Sequence, residues 1–234
     1  MATIERLNNV SHKDLKVNTQ RSAQLGDNVM FSLSFPSEFR SAQAYYPIVF
    51  HKDADTGQLY PVVLFGFQQQ ENLFLTDDKW DAGYIPLNVA RQPFSIGLQD
   101  QQRVVNIDMD SPRIGNEGEP LFLEFGGHAP YLEKVSGMLE TLHHGVEENK
   151  GFVDCLLEFK LVESFTLDVT LNDGSQHQLL GFYTINEDTL NGLADAQWAT
   201  LRTKGYVGPI YMMLASQAKF AELVSRKNKL LNLS

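Results

Sequence analysis

The chain has 234 residues, 43% of them hydrophobic and 21% charged, with a formal charge of −10 and a single cysteine. This excludes a disordered chain, a disulfide-stapled miniprotein and a general nucleic-acid binder, which needs a surplus of Lys and Arg to neutralise phosphates. The charge is uneven: residues 201–234 carry six cations against Glu222, or +5, so the first 200 residues carry −15. The cations near the C-terminus are expected to complement the last helix and to pair with the acidic body.

The start, Met1-Ala2-Thr3-Ile4-Glu5-Arg6, lacks the basic stretch and apolar core of a secretory signal, which gives a cytoplasmic expectation. No window approaches the roughly 18 apolar residues needed to span a bilayer. Short apolar runs rich in Val, Ile, Phe and Tyr follow at 29–35, 47–50, 59–67, 72–75, 94–98 and 104–109, and each predicts a strand. The polar stretch 51–58 between two of them predicts a hairpin. Pro36-Ser37-Glu38-Phe39 predicts a short helix, because proline at a first helical turn lacks only an N–H that has no partner there.

The period then changes. Tyr131, Leu132, Val135, Met138, Leu139, Leu142 and Val146 recur at helical spacing, and Phe152, Val153, Leu156 and Leu157 resume it after the polar stretch 147–151, so two helices are expected. Residues 165–171 alternate apolar and polar, and Asn172-Asp173-Gly174-Ser175, which joins them to a second strand at 178–185, supplies the positive φ of a tight hairpin turn. Helices at 195–204, stopped by Gly205, and at 209–230 complete the chain. Strands first, then helices around one hairpin, predict an α+β protein with mostly antiparallel pairing. A single compact domain over 1–234 is preferred, with 110–120 as the place where a subdomain break would fall.

The chain carries none of the phosphate-binding loops, the G-x-S-x-G elbow, H-E-x-x-H or C-x-x-C. Cys155, flanked by Val153 and Leu156, reads as an inert core thiol. His51-Lys52-Asp53 puts an imidazole and a carboxylate on one side of a strand end, which makes His51 and Asp53 the alternative site, a non-haem iron centre of an oxygenase-like enzyme with His12, His128 or His177 as third ligand. The favoured site is the segment from Glu71-Asn72 through Trp80 and Tyr84 to Arg91. Flat aromatic walls with a few directed polar groups suit a small molecule, peptide or protein partner, with no metal or other cofactor.

Tyr46-Pro47-Ile48-Val49-Phe50, Pro61-Val62-Val63-Leu64-Phe65-Gly66-Phe67, Glu71-Asn72-Leu73-Phe74, Tyr84-Ile85-Pro86, Gly118-Glu119-Pro120-Leu121-Phe122 and Gly205-Tyr206 together resemble the bacterial SapC family. The family takes its name from a protein linked to a paracrystalline surface layer; a peptide permease subunit that shares the name is unrelated. The resemblance implies an accessory role in the surface layer, outer-membrane nutrient uptake or metabolite handling, and it brings no catalytic residue set. The family's hairpin is variable where this chain has His51-Lys52-Asp53, and Arg91-Gln92-Pro93-Phe94 stands in place of a more basic Arg-Arg-Tyr-Pro-Phe type segment. The reading that results is a non-enzymatic, ligand- or partner-binding accessory protein.

Overall fold

Strand periodicity in the first half and helical periodicity in the second are both realised in the computed structural model, which describes residues 3–76, 79–99 and 102–232. Every strand pair among these residues is antiparallel, and with 27% strand and 34% helix the class is α+β. The residues gather into two compact units. One comprises Met1–Asn28, Leu75–Trp80 and Leu87–His144, the other Val29–Phe74, Asp81–Pro86 and Gly145–Ser234. Residues 110–120 lie inside the first.

In the first unit, Gln102–Asp108 runs between Ile4–Arg6 and Phe94–Gln99, and Lys16–Val17 runs between Ile114–Gly115 and Glu119–Pro120. Val17, Phe94, Ile107, Leu121 and Phe122 close a core with Leu132, Val135 and Leu139 of the helix that begins at Pro130. Beside it Arg113 is 1% exposed, and its guanidinium donates to Asp27 at 2.6 Å and to the carbonyls of Asn18 and Gln20 at 3.2 and 2.8 Å. Arg21 meets the same carboxylate at 3.2 Å, and the Ser22 N–H donates to its other oxygen at 3.0 Å. A buried charge is tolerable only when so surrounded.

In the second unit, a five-stranded sheet has the order Val162–Thr170, Gln176–Ile185, Ile48–Lys52, Leu59–Leu64, Phe31–Leu33. Phe50 pairs directly with both Pro61 and Tyr183, so these three share one face; His51, Tyr60 and Phe182 share the other. The helix residues from Gly145 onward cover the first face through Phe152, whose ring centre lies 6.3 Å from Phe50, 6.1 Å from Phe39 and 5.2 Å from Tyr206. On the second face Phe165 stacks on Phe220 of the helix Lys219–Leu230 at 5.2 Å.

The expected hairpins form, over 48–64 and over 162–185, with Gly174 at φ 82° in the turn of the latter. Inside it Leu180 and Gly181 oppose Thr166 alone, a bulge for which Gly181 supplies a φ of 83°. Two helix boundaries differ from expectation. The stretch 147–151 does not break the helix, which is continuous from Pro130 to Glu158, because Glu147, Glu148 and Lys150 are good helix formers, Glu147 and Lys150 lying exposed and Glu148 half-buried. Gly145 and Gly151 are glycines for packing: a Cβ on the first would collide with the Phe35 ring, and one on the second would fall 2.9 Å from the Tyr206 hydroxyl. The helix expected over 209–230 is two, Val207–Ser216 and Lys219–Leu230. Ser216 is fully buried at the break, where its Oγ donates to Met213 O at 2.6 Å and accepts from Ile48 N–H at 2.8 Å.

Phe152→Ala should lower the free energy of unfolding by about 3–5 kcal/mol, because it empties a site ringed by three aromatic side chains; urea denaturation measures the loss.

Candidate functional site

The helix over Phe50 leaves a gap at its flank. Between it and the sheet of the second unit lies an open groove of about 480 Å³. The sheet side is made by Leu33, Lys52, Leu59, Tyr60 and Tyr183 with Gly57 and Gln58 of the turn, and the helix side by Val146, Asn149, Lys150, Val153, Asp154 and Leu157. Helical periodicity aligns the latter, since 146, 150, 153 and 157 fall on one stripe. Val146 and Leu157 are each 49% exposed, an unusual position for large aliphatic groups whose spacing predicts a core.

The polar groups of the groove come from Lys52, Gln58, Tyr60, Asn149, Lys150, Asp154 and Tyr183. Lys150 and Asp154 pair at 2.6 Å one turn apart, in solvent, where such a pair contributes little to stability. Asn149 is 7% exposed, and its Nδ2 donates to Ser34 O at 2.9 Å. Its Oδ1 is buried without a hydrogen-bond partner.

The residues singled out from sequence are distributed over both units. Glu71, Asn72 and Tyr84 belong to the second, Trp80 and Arg91 to the first, and none of the five lines the groove. Glu71 is 7% exposed; its Oε1 accepts from the Lys227 ammonium, a close contact, and its Oε2 accepts from Phe67 N–H at 2.8 Å. Asn72 Oδ1 accepts from Phe74 N–H at 3.0 Å. The Tyr84 hydroxyl donates to Glu38 at 2.9 Å, and burial together with that carboxylate raises its pKa far above the usual phenol value. Trp80 is half-buried in the strand Lys79–Trp80, paired with Leu75. Arg91 donates to Asn88 Oδ1 at 3.0 Å and to Phe94 O, with its pKa lowered by burial.

Of the cations near the C-terminus, Arg226 and Lys227 pair with acidic residues outside the last helix. Arg226 reaches Asp81 at 2.8 Å and Glu222 at 3.0 Å and lies 4.4 Å over the Phe74 ring, while Lys227, 5% exposed, holds Glu71. The last helix is thus fixed to the loops around 66–74 and 81–86 by charges from its own face.

His51 and Asp53 do not converge on a common point. His51 Nδ1 lies 3.0 Å from the Tyr60 hydroxyl, and its ring sits between Phe31 at 4.8 Å and Phe182 at 5.4 Å. Asp53 Oδ1 accepts from Thr56 N–H and Oγ1, both at 2.7 Å, and from Asp55 N–H at 3.1 Å, which closes the hairpin turn and lowers its pKa. Among the described residues no three His, Cys, Asp or Glu side chains come together to hold a metal ion. Cys155 is buried, and burial raises its thiol pKa.

The groove was missed in the sequence because its two walls are some ninety residues apart. The signal available was Val146 and Leu157, which extend the apolar stripe of the helix beyond what the core accepts.

In this α+β protein the groove between helix and sheet is a concavity walled by both apolar and polar side chains. The SapC family model matches residues 7–223, and the chain belongs to the SapC family. No curated protein and no solved structure matches the chain. No helix among the described residues is long and apolar enough to cross a membrane.

Breaking the buried pair from either side should destabilise by about 3–5 kcal/mol, since Glu71→Gln or Lys227→Met leaves its partner in a dry site, and the double variant should recover much of that; urea midpoints of the four proteins check it. Burial sets His51 below its ordinary 6.5 against the opposing pull of Asp53, so the unfolded chain takes up the proton first as the pH falls. The stability that the neutral ring contributes is whole above about pH 7 and is lost through 6.5 towards the folded value. A ring titration by NMR should place the His51 midpoint under 6.5, and His51→Phe should flatten the pH dependence of the urea midpoint in that range.

Proposed function

We propose that this SapC-family protein is a non-enzymatic accessory protein that holds a small ligand or a short partner segment in the groove of its second unit. The observation that carries the reading is the groove itself, with two half-exposed aliphatic side chains on its helix wall and about 480 Å³ of space, within the ~300–1,000 Å³ range of small-ligand sites. Its polar complement supports holding over transforming: the amides of Gln58 and Asn149, the hydroxyls of Tyr60 and Tyr183, the Lys52 ammonium, and an Asp154 carboxylate already paired with Lys150. The surface-layer and outer-membrane uptake associations implied by the family resemblance suit an accessory role of this kind.

A thermal-shift screen over small molecules and peptides should return ligands that raise the Tm. Val146→Trp and Leu157→Trp, both at half-exposed positions, should abolish those shifts while leaving the Tm of the free protein nearly unchanged. Shifts that survive both substitutions, or a panel that never moves the Tm, would count against the groove.

A further inference from the structure

Resting on the groove reading above, we infer that the occupant is the C-terminal end of an extended peptide with apolar side chains. Length is the first argument. The helix stripe from Val146 to Leu157 covers about 16 Å at 1.5 Å per residue, which an extended chain of about five residues spans at ~3.3 Å each. Its wall residues Leu59, Val153 and Leu157 offer apolar surface to side chains along that path.

Two polar groups distinguish a peptide from other apolar ligands. Asn149 is more than nine-tenths buried, and with Nδ2 committed to Ser34 O its Oδ1 is an acceptor that awaits an N–H. An extended peptide presents main-chain N–H groups to such a carboxamide; a hydrocarbon chain has none. Lys52 lies exposed on the sheet side of the groove and forms no ion pair among the described residues, whereas Lys150 already has Asp154. The ligand that completes both is a chain with N–H donors and one carboxylate, and a peptide terminus carries the carboxylate at its end.

Titration calorimetry tests this with acetyl-Ser-Val-Leu-Val-Leu as the free acid, the same peptide as its C-terminal amide, and decanoate, which has the carboxylate and apolar body without an N–H. The free acid should bind. The amide and decanoate should each bind at least about tenfold more weakly, the loss of one charge-assisted or buried hydrogen bond. Lys52→Glu, at an exposed position, should weaken the acid by about tenfold or more and leave the amide within about twofold. Asn149→Leu should weaken both peptides and not decanoate. Equal binding of acid and amide, or decanoate binding as tightly as the acid, overturns the peptide terminus while the groove reading stands, provided that Val146→Trp abolishes the binding. If neither these probes nor any screened ligand responds to Val146→Trp, both readings fail.

Discussion

The seat of Phe152 is the interaction on which the second unit depends. A helix laid over a sheet needs one large side chain to set its height, and here a single ring meets Phe50 from the sheet, Phe39 from a short helix and Tyr206 from a turn. Because strand residues alternate in face, fixing Phe50 under the helix also fixes Pro61 and Tyr183 beside it and turns His51, Tyr60 and Phe182 away. The groove follows from the same geometry. At about 100° per residue Val146 and Leu157 point well away from the direction of Phe152, so the ring that seats the helix leaves them half exposed at its flank.

Buried charge supplies specificity in both units. Asp27 holds Arg113 and Arg21 in the first, and Glu71 holds Lys227 in the second. Neither arrangement adds much net stability over well-packed apolar groups, but each disfavours any other placement of the same chain, since an unpaired charge in either site is strongly opposed. The uneven charge along the sequence acquires a structural meaning here. The cations of the last helix serve partly as internal partners, Lys227 for the buried Glu71 and Arg226 for Asp81.

Local pattern made much of the fold legible. The hairpin over 162–185 is written in the alternation of Phe165, Leu167, Val169 and Leu171 and in the Asp173-Gly174 turn that follows, and the strands 48–52, 59–64, 94–99 and 102–108 follow from apolar runs between turn residues. Helix boundaries were less legible because polar residues carry two meanings: 147–151 lies inside a continuous helix, while the apolar 209–230 hides a break that a buried serine makes. The site was the least legible. Glu71 and Lys227 are 156 positions apart, as far as any local pattern is concerned unrelated, and Arg113 sits in a stretch whose Pro, Gly and Asp content reads as a linker although its side chain is among the most buried in the protein. Aromatic and polar residues clustered in sequence from 71 to 91 are divided by the fold, whereas the groove draws its walls from segments that composition alone does not connect.

The bulge at Gly181 also bears on what the protein avoids. Val162–Thr170 is an edge strand, nine residues long, with a free row of main-chain groups along one side. Left flat and apolar, such an edge is a template for a further strand from another molecule. Here Glu163 and Asp168 stand on it, tied to Asn186 at 2.6 Å and Gln178 at 2.7 Å, and the extra residue of the neighbouring strand twists the ladder part-way along. The carboxylates and the bent seam together disfavour the addition of a further strand along this edge.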